Sequence, residues 1–140
     1  MARGTSHVIK NPYFTFNGVD ISTYVMDATV NVSQDEIDDT SSGDGGKHRV
    51  PGLRDDSIEL TLRQSFDGSA VDATLWAAFD AQTEVEVKVA PEGGVCTSTN
   101  PGWYGNAYLF EYPPLTGAVG ALAQVKIKIP INGKLTRDVT

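Results

Sequence analysis

Two histidines, one cysteine and a run of carboxylates are the side chains of this sequence with the most chemistry to offer. His7, His48 and Cys96 are too few for a zinc site of standard spacing. His7 stands in a polar start and His48 in a polar central stretch, so both read as solvated imidazoles. Cys96 lies among Gly93, Gly94, Thr97 and Ser98. A reactive thiol needs a neighbouring histidine or a clear electropositive setting, and a bystander in a loop is the simpler reading. A sole cysteine also forms no intramolecular disulfide, which leaves packing and hydrogen bonds to hold the fold and suits assembly in a reducing cytoplasm.

The acidic run Asp35, Glu36, Asp38, Asp39 and Asp44 raises the question of calcium. An EF-hand loop needs a glycine at its sixth position and a glutamate at its twelfth. Counted from Asp38, Gly43 fills the sixth position, but Arg49 stands at the twelfth, so the match fails. Gly45-Gly46-Lys47 is followed by His48 rather than Ser or Thr, and no strand-to-helix context surrounds it, which rejects a phosphate loop. No G-x-S-x-G elbow occurs. Asn31-Val32-Ser33 matches a glycosylation sequon formally, yet falls in a strand-like stretch. The residues therefore point to no enzyme, no metal and no cofactor.

Charge narrows the partners. The chain of 140 residues carries 18 acidic and 11 basic residues, a net −7. Neutralising phosphates needs a basic patch, so tight wrapping of nucleic acid is disfavoured. An acidic surface suits either plain solubility or a wall that DNA slides past. Residues Met1 to Lys10 contain no apolar core of signal-peptide length. No stretch approaches the ~18 apolar residues of a membrane helix.

The elements that position these side chains are mostly strands. Met26, Ala28, Val30 and Val32 alternate with smaller or polar residues, as do Ile58, Leu60 and Leu62, then Val85, Val87 and Val89, then Val125, Ile127, Ile129 and Ile131. Period two with one apolar face is the mark of antiparallel sheet with one wet side. A short strand is expected at Tyr13 to Phe16, and an aromatic one over Tyr104 to Tyr112, with Tyr104, Tyr108, Phe110 and Tyr112 on one face. Val71, Leu75, Ala78 and Phe79 recur at helical spacing and predict one amphipathic helix over 69–80, with Ser69 and Asp72 resembling a capping box. Residues 34–52 read as one long polar loop, acidic at its start and basic at Lys47, His48 and Arg49. Such length is functional or unordered until a partner orders it. The expected fold is one mainly β domain over 1–140: an antiparallel β-sandwich, one flanking helix and a long polar loop.

In order, Gly18-Val19-Asp20-Ile21-Ser22-Thr23-Tyr24-Val25, then Arg49-Val50-Pro51-Gly52-Leu53-Arg54-Asp55, then Val71-Asp72-Ala73-Thr74-Leu75-Trp76 form one succession. Asn100-Pro101, Tyr104-Gly105-Asn106-Ala107, Glu111-Tyr112-Pro113-Pro114-Leu115, Gly117-Ala118-Val119-Gly120 and Asn132-Gly133-Lys134-Leu135-Thr136-Arg137 complete it. This succession resembles the tail tube proteins of siphophages, which are similar in fold to the tube protein of type VI secretion systems. The stretch Ser41 to Lys47 is richer in glycine and aspartate than that pattern.

The resemblance implies a structural virion protein, made in the host bacterial cytoplasm, whose hexameric rings stack into a tail tube. DNA passes through its lumen without sequence-specific binding. The implied partners are further copies of the chain, with tail initiator, tape measure and tail terminator proteins. An N-terminal arm (1–12) and the loop (34–52) would reach into the adjacent ring or subunit, and residues 132–140 would form a C-terminal segment. Assembly contacts are expected at Asp35, Asp38, Asp39, Asp44, Lys47, His48, Arg49, Val50 and Pro51. Glu59, Glu84 and Glu86 are expected to face the lumen. The alternatives are a capsid decoration protein, which would trimerise on a lattice, and a carbohydrate-binding β-sandwich, for which Trp103 is the one good stacking candidate.

Overall fold

Alternating apolar residues force a strand to bury one face, and here they do so on both sides of a shared core. The computed structural model describes residues 8–66, 71–93 and 96–139. Its elements are β1 (Tyr13–Phe16), β2 (Val19–Asp20), β3 (Val25–Asn31), β4 (Gln34–Asp38), β5 (Arg49–Arg54), β6 (Ser57–Arg63), α1 (Val71–Ala81), β7 (Val85–Ala90), β8 (Gly102–Ala107), β9 (Gln124–Pro130) and β10 (Thr136–Asp138). One sheet has the order β10-β8-β7-β1-β2 and a second the order β3-β6-β9, with every pairing antiparallel. Their inner faces, Phe14, Phe16, Val85 and Val87 from one and Ile58, Leu60, Leu62, Val125, Ile127 and Ile129 from the other, form one buried cluster. This is the β-sandwich that the alternation predicts.

The helix forms where the period changes. Val71, Leu75 and Ala78 are buried and Phe79 packs beside them, which places one stripe of α1 on the core. Burial of a residue such as Leu75 is worth about 2 kcal/mol. Gln82 adopts φ +54, a left-handed residue that stops the helix after Ala81. Ser69 of the expected capping box lies outside the described residues.

Three local features depart from simple alternation. In β3 the register slips between Val25 and Asp27, so Met26 bulges outward and is half exposed; Val25, Ala28 and Val30 pack on the core instead. Val32 lies beyond the strand and is exposed. The aromatic strand ends at Ala107, so Tyr104, Tyr108, Phe110 and Tyr112 do not share a face: Leu109 and Tyr112 are buried while Tyr108 and Phe110 turn outward. Proline at 113 and 114 prevents the ladder from continuing there. Asn17 (φ +52) and Gly18 (φ +81) form the two-residue turn of the β1–β2 hairpin, where both central residues need positive φ.

Candidate assembly surface

The stretch 34–52, expected as a loop, folds as a two-stranded arm. Among the described residues β4 and β5 pair only with each other, in the register Glu36↔Pro51, Ile37↔Val50 and Asp38↔Arg49. β-Branched Ile37 and Val50 suit the pleat, and Pro51 is tolerated because both strands are edges. Gly52 is required by a close approach: a Cβ there would stand 2.9 Å from Asp35 Cβ and 3.0 Å from Ile37 Cδ1. The tip is tied by side chains. His48 N donates to Thr40 Oγ1 (2.8 Å), Asp39 N to His48 O (2.8 Å), and Ser41 N to Asp44 Oδ2 (2.8 Å). Thr40 bonds the Asp38 carboxylate and holds its pKa below the ordinary value.

The charge gradient along this stretch is explained within the arm itself. Folding it into a hairpin sets the acidic leg against the basic one: Glu36 pairs with Arg49, and Asp39 lies 3.5 Å from His48 Nδ1. Lys47 makes no ion pair among the described residues. The arm also leaves large apolar side chains exposed. Ile37 is 50% exposed, Val50 37% and Leu53 80%. A two-stranded ribbon with no core beneath it is marginal in water, so its natural complement is another surface.

A groove of about 620 Å³ offers one such surface on the body, lined by Phe79, Asp80, Gln82, Tyr108, Leu109 and Phe110. Aromatic pairs flank it, Trp76–Phe79 and Tyr108–Phe110, each with ring centroids 6.1 Å apart. The sequence placed these rings in one cluster but not on two walls, because the strand end after Ala107 is not visible in the residue types. Trp103 is half buried against the core, and Lys88 Nζ lies 6.0 Å from the Tyr104 ring centroid, so no open stacking platform forms at β8.

The three glutamates expected at a common lumen are divided. Glu59 lies on the outer face of the β3-β6-β9 sheet, opposite Thr29 and Lys128 and close to Lys126. Glu86 lies on the outer face of the other sheet, between buried Val85 and Val87. Glu84 precedes β7 and accepts a hydrogen bond from Asn132 Nδ2 (2.8 Å). Glu59 and Glu86 therefore point in opposite directions from the shared core, and one wall cannot hold both.

Cys96 is buried rather than loose in a loop, and its Sγ would stand 2.8 Å from a Cβ on Gly102. Beside it, Lys88 donates to Asp138 Oδ2 (3.1 Å), which raises the lysine pKa. His48 is exposed at the arm tip, and His7 lies outside the described residues. Among the described residues no group of three His, Cys, Asp or Glu side chains could hold a metal ion. No described helix is long and apolar enough to cross a membrane.

No family model matches this sequence, and no curated protein matches it. Solved structures do match the fold. A chain of the virion of a native gene transfer agent particle aligns with a TM-score of 0.75 at 16% identity, covering 96% of this chain and 100% of that one. A chain of the tail of an empty gene transfer agent particle with C6 symmetry aligns at 0.66 and 16% identity, over 83% of each. The SPP1 tail tube aligns at 0.69 and 14% identity, covering 93% of this chain and 78% of that one. The fold is thus shared, over most of the chain, with a chain of a virion and with chains of two tail structures.

Proposed function

We propose that this chain is a structural, non-catalytic subunit of a virion tail tube, closing into six-membered rings that stack around a channel for DNA. The carrying observation is the β4–β5 arm, an ordered ribbon that leaves Ile37, Val50 and Leu53 exposed and pairs with no other described strand. The fold shared with chains of tail assemblies, one of them C6-symmetric, supports the same reading. Burying Ile37, Val50 and Leu53 on a neighbour would contribute roughly 1–2 kcal/mol each. An apolar projection and an apolar groove at different places on one molecule make a heterologous contact, which generates rings or filaments rather than dimers.

The partners of this reading are copies of the chain, with initiator, tape measure and terminator proteins at the ends and inside. DNA passes without base-specific contacts, in keeping with the net −7. The contact residues Asp35, Asp38, Asp39, Asp44, Lys47, His48, Arg49, Val50 and Pro51 belong to the arm, and the refined proposal adds Ile37 and Leu53 to them. Negative-stain electron microscopy of the purified chain, alone and with its initiator, tests the proposal. Hollow tubes or six-fold rings are expected. Trimers on a capsid lattice would establish the decoration reading instead, and a monomer under all conditions would overturn assembly.

A further inference from the structure

We infer that Asp56 is the positioning residue of the arm, setting its angle to the body and coupling that angle to the C-terminal strand β10. Its consequence for assembly rests on the proposed function; the coupling is a property of the single chain. Asp56 stands between β5 and β6 at the arm's root and is fully buried. A buried carboxylate is tolerated only when its oxygens are satisfied, and here donors reach it from two segments. Arg54, the last residue of β5, donates from Nη2 to Oδ2 (2.6 Å) and from Nε to Oδ1 (3.1 Å). The Leu135 N–H, just before β10, donates to the same Oδ2 (2.8 Å). Burial alone would raise the pKa of this group; the Arg54 and Leu135 hydrogen bonds and the Arg54 charge, with the Ser33 backbone beside them, outweigh it and hold the carboxyl below its ordinary value.

Both legs of the arm are pinned beside this point. Asp55 N donates to Ser33 O (2.8 Å) and Ser33 Oγ to Asp55 O (2.7 Å). The Asp56 carbonyl accepts from Ile131 N (2.9 Å), which ties the same residue to the end of β9. A bidentate guanidinium fork fixes a plane as well as a distance, so Arg54 sets the direction in which β5 leaves the body. Because Arg54 and Leu135 share one oxygen, displacing either changes what the other meets. β10 is three residues long and lies at a sheet edge, paired only with β8. A molecule that displaces β10 would therefore loosen the arm, and docking the arm would tighten β10, since coupling is reciprocal.

The test uses the full chain with spin labels at Gly45→Cys on the arm tip and Ala73→Cys on α1, buried Cys96 being left in place. Arg54→Gln, at a partly exposed side chain, is expected to broaden the inter-label distance distribution. The same substitution should accelerate amide exchange at Leu135 and across β10 at least tenfold, with β6 core amides unchanged. Asp56→Asn should do both more strongly. An Arg54→Gln protein that stays folded with unchanged β10 exchange, or one in which exchange rises uniformly through β6, overturns the coupling. Tube formation scored separately distinguishes the two ideas: failure of the unsubstituted chain to form tubes would sink the assembly reading and leave the coupling standing.

Discussion

Replacing Tyr112 by phenylalanine isolates one clamp between the chain after β8 and the start of α1. The Tyr112 ring is buried, and its hydroxyl donates to Asp72 Oδ1 (2.8 Å) while accepting from Gln64 Nε2 (3.1 Å). Phenylalanine keeps the packed ring and removes the hydroxyl. Gln64 Nε2 retains its bond to the Pro114 carbonyl (2.7 Å), and half-buried Asp72 can turn to water, so neither is left orphaned. The expected loss is therefore that of one net hydrogen bond, about 1 kcal/mol, or a fall in Tm of about 3–4 °C for a chain of this size. Urea unfolding followed by Trp76 and Trp103 fluorescence measures it. The same variant carries a pH signature. Burial, with the Asp72 carboxylate beside it, pushes the Tyr112 pKa from 10.0 up to about 12. The unfolded chain releases this proton first, so the contribution is complete below pH 10 and is lost as pH rises towards 12. Lys88, raised by Asp138, adds its own alkaline loss in both proteins and cancels in the difference. Y112F should thus lose less stability than the unsubstituted chain between pH 10 and 12. A cost above about 3 kcal/mol, or parallel alkaline curves, would refute this account of the clamp.

Ile37→Ser with Val50→Ser should leave the body's unfolding free energy within about 0.5 kcal/mol, because both side chains are exposed in the single chain. Tube formation by electron microscopy should be abolished, and wild-type tubes from this variant would count against the arm as the contact. Gly52→Ala drives a Cβ into Asp35 and Ile37, so amide exchange on β4 and β5 should rise while that of β6 does not. Glu59→Lys and the pair Glu84→Lys with Glu86→Lys, made separately, should affect DNA ejection unequally, since Glu59 and Glu86 lie on opposite outer faces. Equal effects, or none in either, would remove the acidic-lumen proposal.

Much of the sandwich was legible because its signals are local. Val85, Val87 and Val89, or Ile127 and Ile129, declare a face by their own alternation, and Val71, Leu75 and Ala78 declare a helix. The arm was harder. Its strands have no buried face, so β4 is mostly polar and β5 mixes Val50, Pro51, Gly52 and Leu53 without a period; only Ile37 opposite Val50, and the opposed charges of Glu36 and Arg49, mark the pairing once the register is known. β2 had a local signal in Asn17-Gly18, a dipeptide that favours a tight hairpin. Asp56 had none. A single aspartate before a strand looks like any turn residue, and its role arises from Arg54 and Leu135, the second of them 79 positions away.

The count of strands in the smaller sheet has a geometric consequence for any ring built from it. β3 and β9 are both antiparallel to β6, so the two edges of that sheet run in the same direction. Rotating identical copies about an axis and joining edge to edge would lay β9 of one copy beside β3 of the next with both chains pointing the same way. The parity of an odd sheet makes that junction parallel, while the pairings inside each copy are antiparallel. Parallel ladders are slightly weaker per residue. A wall of this construction would have its weaker ladders running between subunits, at regular angular intervals.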